Sequence, residues 1–87
     1  MTPDQTRELL RLIDEFVDGR NRSRNFADAI EGALLSSALD ETWFDDVSTA
    51  LAQYVPGGGE HYFDEKALAD ELAPVAAILR SRLDADS

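Results

Sequence analysis

No cysteine occurs in the 87 residues, and there is a single histidine. The first absence excludes disulfides, thiolate metal sites and cysteine nucleophiles. The second leaves His61 without another imidazole to complete a ligand pair. Basic residues are scarce as well. Eight Lys and Arg stand against 18 Asp and Glu, for a formal net charge of −10. Small domains usually carry roughly 2 to 8 charges of excess, and self-repulsion above that range weakens the compact state. A surface of this sign repels phosphates and anionic lipid headgroups. Nucleic acid and membrane are therefore not the expected partners; a strongly basic protein is. No apolar run approaches the roughly 18 residues of a membrane span. Met1-Thr2-Pro3-Asp4-Gln5 is polar and acidic, without the apolar stretch of a secretory signal. The expectation is a soluble, cytoplasmic protein.

What is present is enough apolar material for one core. Hydrophobic residues make up 44% of the chain, and the length suits a single domain, residues 1–87. Apolar positions repeat at helical spacing and never alternate as in a strand. The first helix runs from Pro3 to about Asp18. Thr2 caps it, Pro3 takes the first helical position, and Gln5 completes a capping box. Leu9, Leu10, Leu12, Ile13, Phe16 and Val17 form its stripe, and Gly19 ends it. Arg20-Asn21-Arg22-Ser23-Arg24 reads as a solvated basic connector. Ser23 is the cap of the second helix, with Asn21 as the alternative. Phe26, Ala27, Ile30, Ala33 and Leu34 follow at helical spacing.

Asp40 reads as the cap of the third helix, with Leu39 stapled onto Phe44 across it. Trp43, Phe44, Val47, Leu51 and Tyr54 form that helix's apolar face. Pro56-Gly57-Gly58-Gly59 ends it and reads as a flexible turn. Asp64 caps the fourth helix, with a second staple from Phe63 to Leu68. Leu68, Leu72, Val75, Ala76, Leu79 and Leu83 line its inner side, and Pro74 is expected to kink it. Four helices with mostly short loops predict an all-α, antiparallel four-helix bundle. Its predicted core includes Leu12, Phe16, Phe26, Ile30, Val47, Leu51, Leu72 and Leu79, with Trp43 and Phe44 among the core aromatics.

Catalytic chemistry is hard to assemble from these residues. Carboxylates pair at Asp14/Glu15, Asp40/Glu41, Asp45/Asp46, Asp64/Glu65 and Asp70/Glu71. Neighbours on a helix point about 100° apart, so such pairs chelate poorly. There is no Glu-x-x-His pattern and no calcium-loop spacing. The glycine run lacks the lysine of a phosphate-binding loop. His61, beside Glu60 and Tyr62, reads as a loop or contact residue. No enzyme activity, metal or cofactor is expected.

The acids are not evenly spread. Asp40 to Asp46 holds four acids and no base, and Glu60 to Glu71 holds five acids and one Lys. Helices three and four meeting at their shared loop would join these stretches into an acidic ridge. Tyr54, His61 and Tyr62 would flank it, offering the rigid area and polar handles common at binding hot spots.

Two stretches carry a resemblance. Leu9-Leu10-Arg11-Leu12-Ile13-Asp14-Glu15-Phe16-Val17-Asp18-Gly19, with Phe26 ten residues beyond Phe16, is the first. Tyr54-Val55-Pro56, a short loop, then Phe63-Asp64-Glu65 and Leu68 is the second. In order and spacing the chain resembles the colicin D type immunity proteins, the family of bacterial self-protective colicin-like immunity domains. The likeness spans nearly the whole chain. Asn21 and Arg22 depart from it, standing where the family usually has an apolar residue and then Ser or Thr. The resemblance implies a four-helix bundle that blocks the basic C-terminal nuclease domain of a cognate bacterial toxin, often a tRNA-cleaving RNase. It implies that Asp45, Asp46, Glu60, His61, Tyr62, Asp64 and Glu65 contact the toxin; a monomer in a 1:1 complex is the expected assembly.

Two other readings compete. Carrier domains are also small, acidic and helical, but they need a serine in an Asp-Ser-Leu context. Ser23, Ser36, Ser37 and Ser48 all lack it. An acidic adaptor bundle is the other.

Overall fold

A computed structural model describes residues 2–59 and 63–86. Four helices account for most of it: α1 (Pro3–Val17), α2 (Arg24–Ser37), α3 (Phe44–Ala52) and α4 (Glu65–Asp86). They form an antiparallel four-helix bundle. α1 packs most extensively on α4 and next on α2, while α3 rests on α2 and α4. The diagonal pairs, α1 with α3 and α2 with α4, do not meet. None of these helices is long and apolar enough to cross a membrane.

The helix ends show why the chain breaks where it does. Thr2 accepts the Gln5 N–H at 3.1 Å, and the Gln5 side chain accepts the Thr2 N–H at 2.9 Å. This reciprocal box satisfies donors that have no partner inside the helix. Gly19 closes α1 with a φ of 84°, a value that costs glycine little. The Ser23 hydroxyl accepts the Phe26 N–H at 3.1 Å and starts α2. Asp64 starts α4, its carboxylate accepting the Ala67 N–H at 2.8 Å.

α3 departs from expectation. It begins at Phe44, not after Asp40, and its N-cap position is Trp43, with no side-chain cap. Residues 38–43 instead form successive turns, with Glu41 N–H to Ala38 C=O at 3.0 Å and Phe44 N–H to Glu41 C=O at 3.1 Å. Leu39 is 62% exposed and staples nothing. The reason is tertiary. Ala38 is buried, and Glu41 is held by Arg82 of α4 through bonds of 2.9 and 2.6 Å. These two anchors draw the connector inward before a helix can start. Asp45 and Asp46 lie in the first turn of α3, where carboxylates favour the helix dipole.

The core gathers Leu9, Ile13, Phe16, Ile30, Leu34, Leu51, Leu68, Leu72 and Leu79, all fully buried, with Leu12 and Val47 nearly so. Phe26, Trp43 and Phe44 are only partly buried and pack on its edge. Pro74 lies inside α4, which continues through it. It sits on the exposed face, where water can take the place of the donor that proline removes.

Candidate functional site

The basic connector turns out to be structural. Arg22 donates from Nε to the Phe16 carbonyl and from Nη2 to the Val17 carbonyl, both at 2.8 Å. Its guanidinium lies 5.7 Å from the centre of the Phe16 ring. Arg24 donates to the Leu51 carbonyl at 2.6 Å and to the Tyr54 carbonyl at 3.4 Å. Each arginine thus caps the C-terminal end of a helix, α1 or α3, where carbonyls lack intrahelical donors. The reading of Arg22 and Arg24 as solvated is corrected on this geometry. Only Arg20 fits it, pairing with Asp18 at 3.2 Å between exposed side chains.

Tyr54 belongs to the same node. It is 1% exposed, its hydroxyl donates to the Arg22 carbonyl, and its ring meets Phe16 edge-on at 5.3 Å. Burial, then the nearby Glu65 carboxylate, pushes its phenol pKa up. A side chain this enclosed offers no surface to a partner, so Tyr54 is a core residue and not a contact residue.

From Tyr54 the chain turns back onto α4. Val55 and Phe63 exchange backbone contact with this region: Val55 N–H to Phe63 C=O at 3.0 Å, and Phe63 N–H to Gln53 C=O at 2.9 Å. The Gly58 N–H closes a turn on the Val55 carbonyl at 2.8 Å. Pro56 and then Gly57, with a φ of 85°, fit the central positions of a type II turn. The Gly57 N–H donates to Glu65 Oε1 at 2.7 Å. At Gly58, with φ 75°, an added Cβ would stand 2.9 Å from that of Asp64. The glycine run is therefore tied to α4 by the Gly57–Glu65 bond and lies close against Asp64 at Gly58, where a flexible turn was expected.

These contacts sort the expected site residues. Asp45 and Asp46 are exposed on α3. Asp64 and Glu65 lie at the start of α4 and have structural tasks, a helix cap and a loop anchor. Glu60, His61 and Tyr62 lie outside the described residues. Asp70 and Glu71, exposed on α4, were not singled out from the sequence. Their signal was the acidic run to Glu71, which the sequence already joined to Asp40–Asp46 in a ridge where helices three and four meet; the packing of α3 against α4 fixes which acids of that run stand beside α3. That packing forms an open groove of about 370 Å³ lined by Asp46, Thr49, Ala50, Gln53, Phe63 and Glu71.

The ion pairs fall elsewhere. Asp4 pairs with Arg7, Glu8 and Glu15 with Arg11, and Asp28 with Arg24. Asp14 takes Arg80 through both carboxylate oxygens at 3.0 Å, joining α1 to α4. Arg11 holds the Glu8 carboxyl below the usual carboxylate range. Arg82 does the same for Glu41, chiefly by its hydrogen bonds. The Trp43 indole N–H is near enough to Glu41 to help lower it, yet Nε1 is buried without a partner in hydrogen-bond geometry. Asp45, Asp46, Asp70 and Glu71 have no ion-pair partner among the described residues. Uncompensated negative charge thus collects where α3 meets the first half of α4. Among the described residues no three His, Cys, Asp or Glu side chains converge to hold a metal ion.

No known protein family, curated protein or solved structure matches the chain.

Proposed function

We propose that this protein is an immunity protein of the colicin D type: an inhibitor that covers the basic active site of a bacterial toxin nuclease. One observation carries the reading. Arginines pair with Asp4, Glu8, Asp14 and Glu15 of α1 and with Glu41 of the α2–α3 connector, while Asp46 of α3 and Glu71 of α4 line one groove without an ion-pair partner among the described residues, and their exposed neighbours Asp45 and Asp70 have none either. A nuclease that cleaves RNA lines its site with cations to hold phosphates. An acidic face on paired helices can stand in for those phosphates and exclude the substrate. The residues of the face are Asp45, Asp46, Asp64, Glu65, Asp70 and Glu71, with Glu60, His61 and Tyr62 next to them in sequence. The inhibitor acts by occupancy, needs no cofactor, and works as a cytoplasmic monomer in a 1:1 complex. Charge of opposite sign speeds encounter to as much as about 10⁸–10⁹ M⁻¹s⁻¹ at low salt, which suits a cell that must capture its own toxin.

The test is inhibition by the purified protein of a nuclease toxin encoded by a neighbouring gene. Cleavage of tRNA by the toxin's C-terminal domain should stop at one equivalent of inhibitor. Undiminished cleavage at a large excess would refute the reading.

A further inference from the structure

The groove between α3 and α4 has a mixed lining. Ala50 and Phe63 supply its apolar part, and Phe63 is only partly buried. Asp46 stands on α3 and Glu71 on α4, so the two carboxylates come from different helices. Thr49 and Gln53 complete it. The side chains of Asp46, Thr49, Gln53 and Glu71 make no hydrogen bond or ion pair among the described residues. Two like charges beside one depression, with open acceptors between them, favour a cation.

The kind of cation follows from the rest of the lining. A metal ion needs several converging ligands, and no group of three His, Cys, Asp or Glu offers them among the described residues. An ammonium gains only a point charge from this groove. A guanidinium brings five donors in a plane, enough to reach a carboxylate on either side. It also stacks on an aromatic face, and its aliphatic stem can lie along apolar surface. Phe63 provides that surface, since Ala50 is only 1% exposed.

We propose that the α3–α4 groove receives an arginine side chain of the basic partner. The proposal rests on the inhibitor reading for the identity of that partner as a toxin. It adds that recognition depends on a seated side chain and not on diffuse charge alone. Asp46, Phe63 and Glu71 are then the residues that determine specificity.

The test needs no toxin. Amide resonances of the whole protein are followed by NMR during titration with Nα-acetylarginine methylamide, Nα-acetyllysine methylamide and, separately, Mg²⁺. The arginine probe should give saturable shifts that centre on Asp46, Thr49, Gln53, Phe63 and Glu71. It should bind about two- to fivefold tighter than the lysine probe, the range of an exposed cation–π contact. F63L keeps the apolar volume and should erase that preference. Asp46→Asn and Glu71→Gln change only exposed groups and should each weaken binding up to about fivefold. Non-saturating shifts spread over all acidic residues would overturn the proposal. So would equal binding of both amino-acid probes, or Mg²⁺ saturating the same resonances. An empty groove combined with intact toxin inhibition would remove this proposal alone. A groove that binds arginine in a protein that inhibits no toxin would uphold it and remove the inhibitor reading.

Discussion

At the scale of single residues, three side chains carry weight that their positions in the sequence conceal. Arg22, Arg24 and Tyr54 join the end of α1, the start of α2 and the end of α3. Hydrogen bonds to a charged donor are worth roughly 1.5–3 kcal/mol. Arg24→Ala should therefore cost about 1–3 kcal/mol in denaturant unfolding, whereas Arg20→Ala should stay within about 0.5 kcal/mol. Equal effects would show that Arg24 does not cap α3. Two glycines should respond with opposite signs. Gly32 is inside α2 with nothing within 4 Å of an added Cβ, so Gly32→Ala should stabilise by about 0.5–1 kcal/mol. At Gly58 both the positive φ and the 2.9 Å approach to Asp64 oppose a side chain. Gly58→Ala should destabilise by about 1 kcal/mol or more. Thermal melts of the pair are a sufficient check. The bonds of Arg24 to the end of α3 and of Tyr54 to Arg22 are not legible in the sequence, because they span 27 to 32 residues.

At the scale of elements, what is local was legible and what is tertiary was not. Thr2, Gln5, Ser23 and Asp64 cap their helices as their spacing indicates, since each cap bonds within three residues. Asp40 has the same local signature and fails, because Ala38 and the Glu41–Arg82 pair override it. α3 is then a helix of nine residues without a side-chain cap. Asp45 and Asp46 at its start and Arg24 at its end complement its dipole instead. Leu51, fully buried, fixes it to the core, and Leu51→Ala should cost about 2–5 kcal/mol. A loss below about 1 kcal/mol would contradict the packing described. The Glu41–Arg82 link gives a pH signature. The Glu41 pKa is lowered from 4.5, so its contribution is complete above about that value and is lost as pH falls through the lowered pKa. Acid also neutralises the excess carboxylates and relieves repulsion, so the comparison must be with Glu41→Gln. Between pH 5 and 2, roughly, wild type should lose more stability than Glu41→Gln. Parallel acid limbs would show that the pair does not tie the connector to α4. Tyr54 acts at the other extreme. Its pKa is raised from 10.0, so its contribution holds below that value and is lost as pH rises through the raised pKa.

At the scale of the whole molecule, the excess of ten negative charges is organised by what the arginines do. They pair or cap on α1, on the connectors and on the second half of α4, and leave the α3–α4 face uncompensated. Acidic runs in the sequence indicated this face only in part. The runs Asp40–Asp46 and Glu60–Glu71 were both visible and were expected to join where helices three and four meet, but that Asp46 and Glu71 share a groove is set by the packing of α4 on α3. Tyr54 was read both as part of the apolar face with Val47 and Leu51 and as a flank of the ridge; its burial upholds the first reading. Association kinetics separate a recognition face from a merely solvated one, because steering acts over a Debye length of about 8–10 Å near physiological ionic strength. Reversal of Asp45 and Asp46 should leave the fold intact, at a cost of about 0.3–1 kcal/mol each from the helix dipole. Asp4 and Glu8, already paired with Arg7 and Arg11, form the control. The decisive measurement is stopped-flow association with the toxin's nuclease domain across a series of salt concentrations. We expect fast wild-type association that falls steeply with salt, a large loss of rate on reversing Asp45 and Asp46, and a small one on reversing Asp4 and Glu8. Equal losses for the two pairs, or rates indifferent to salt, would contradict the proposal that this face captures a basic nuclease.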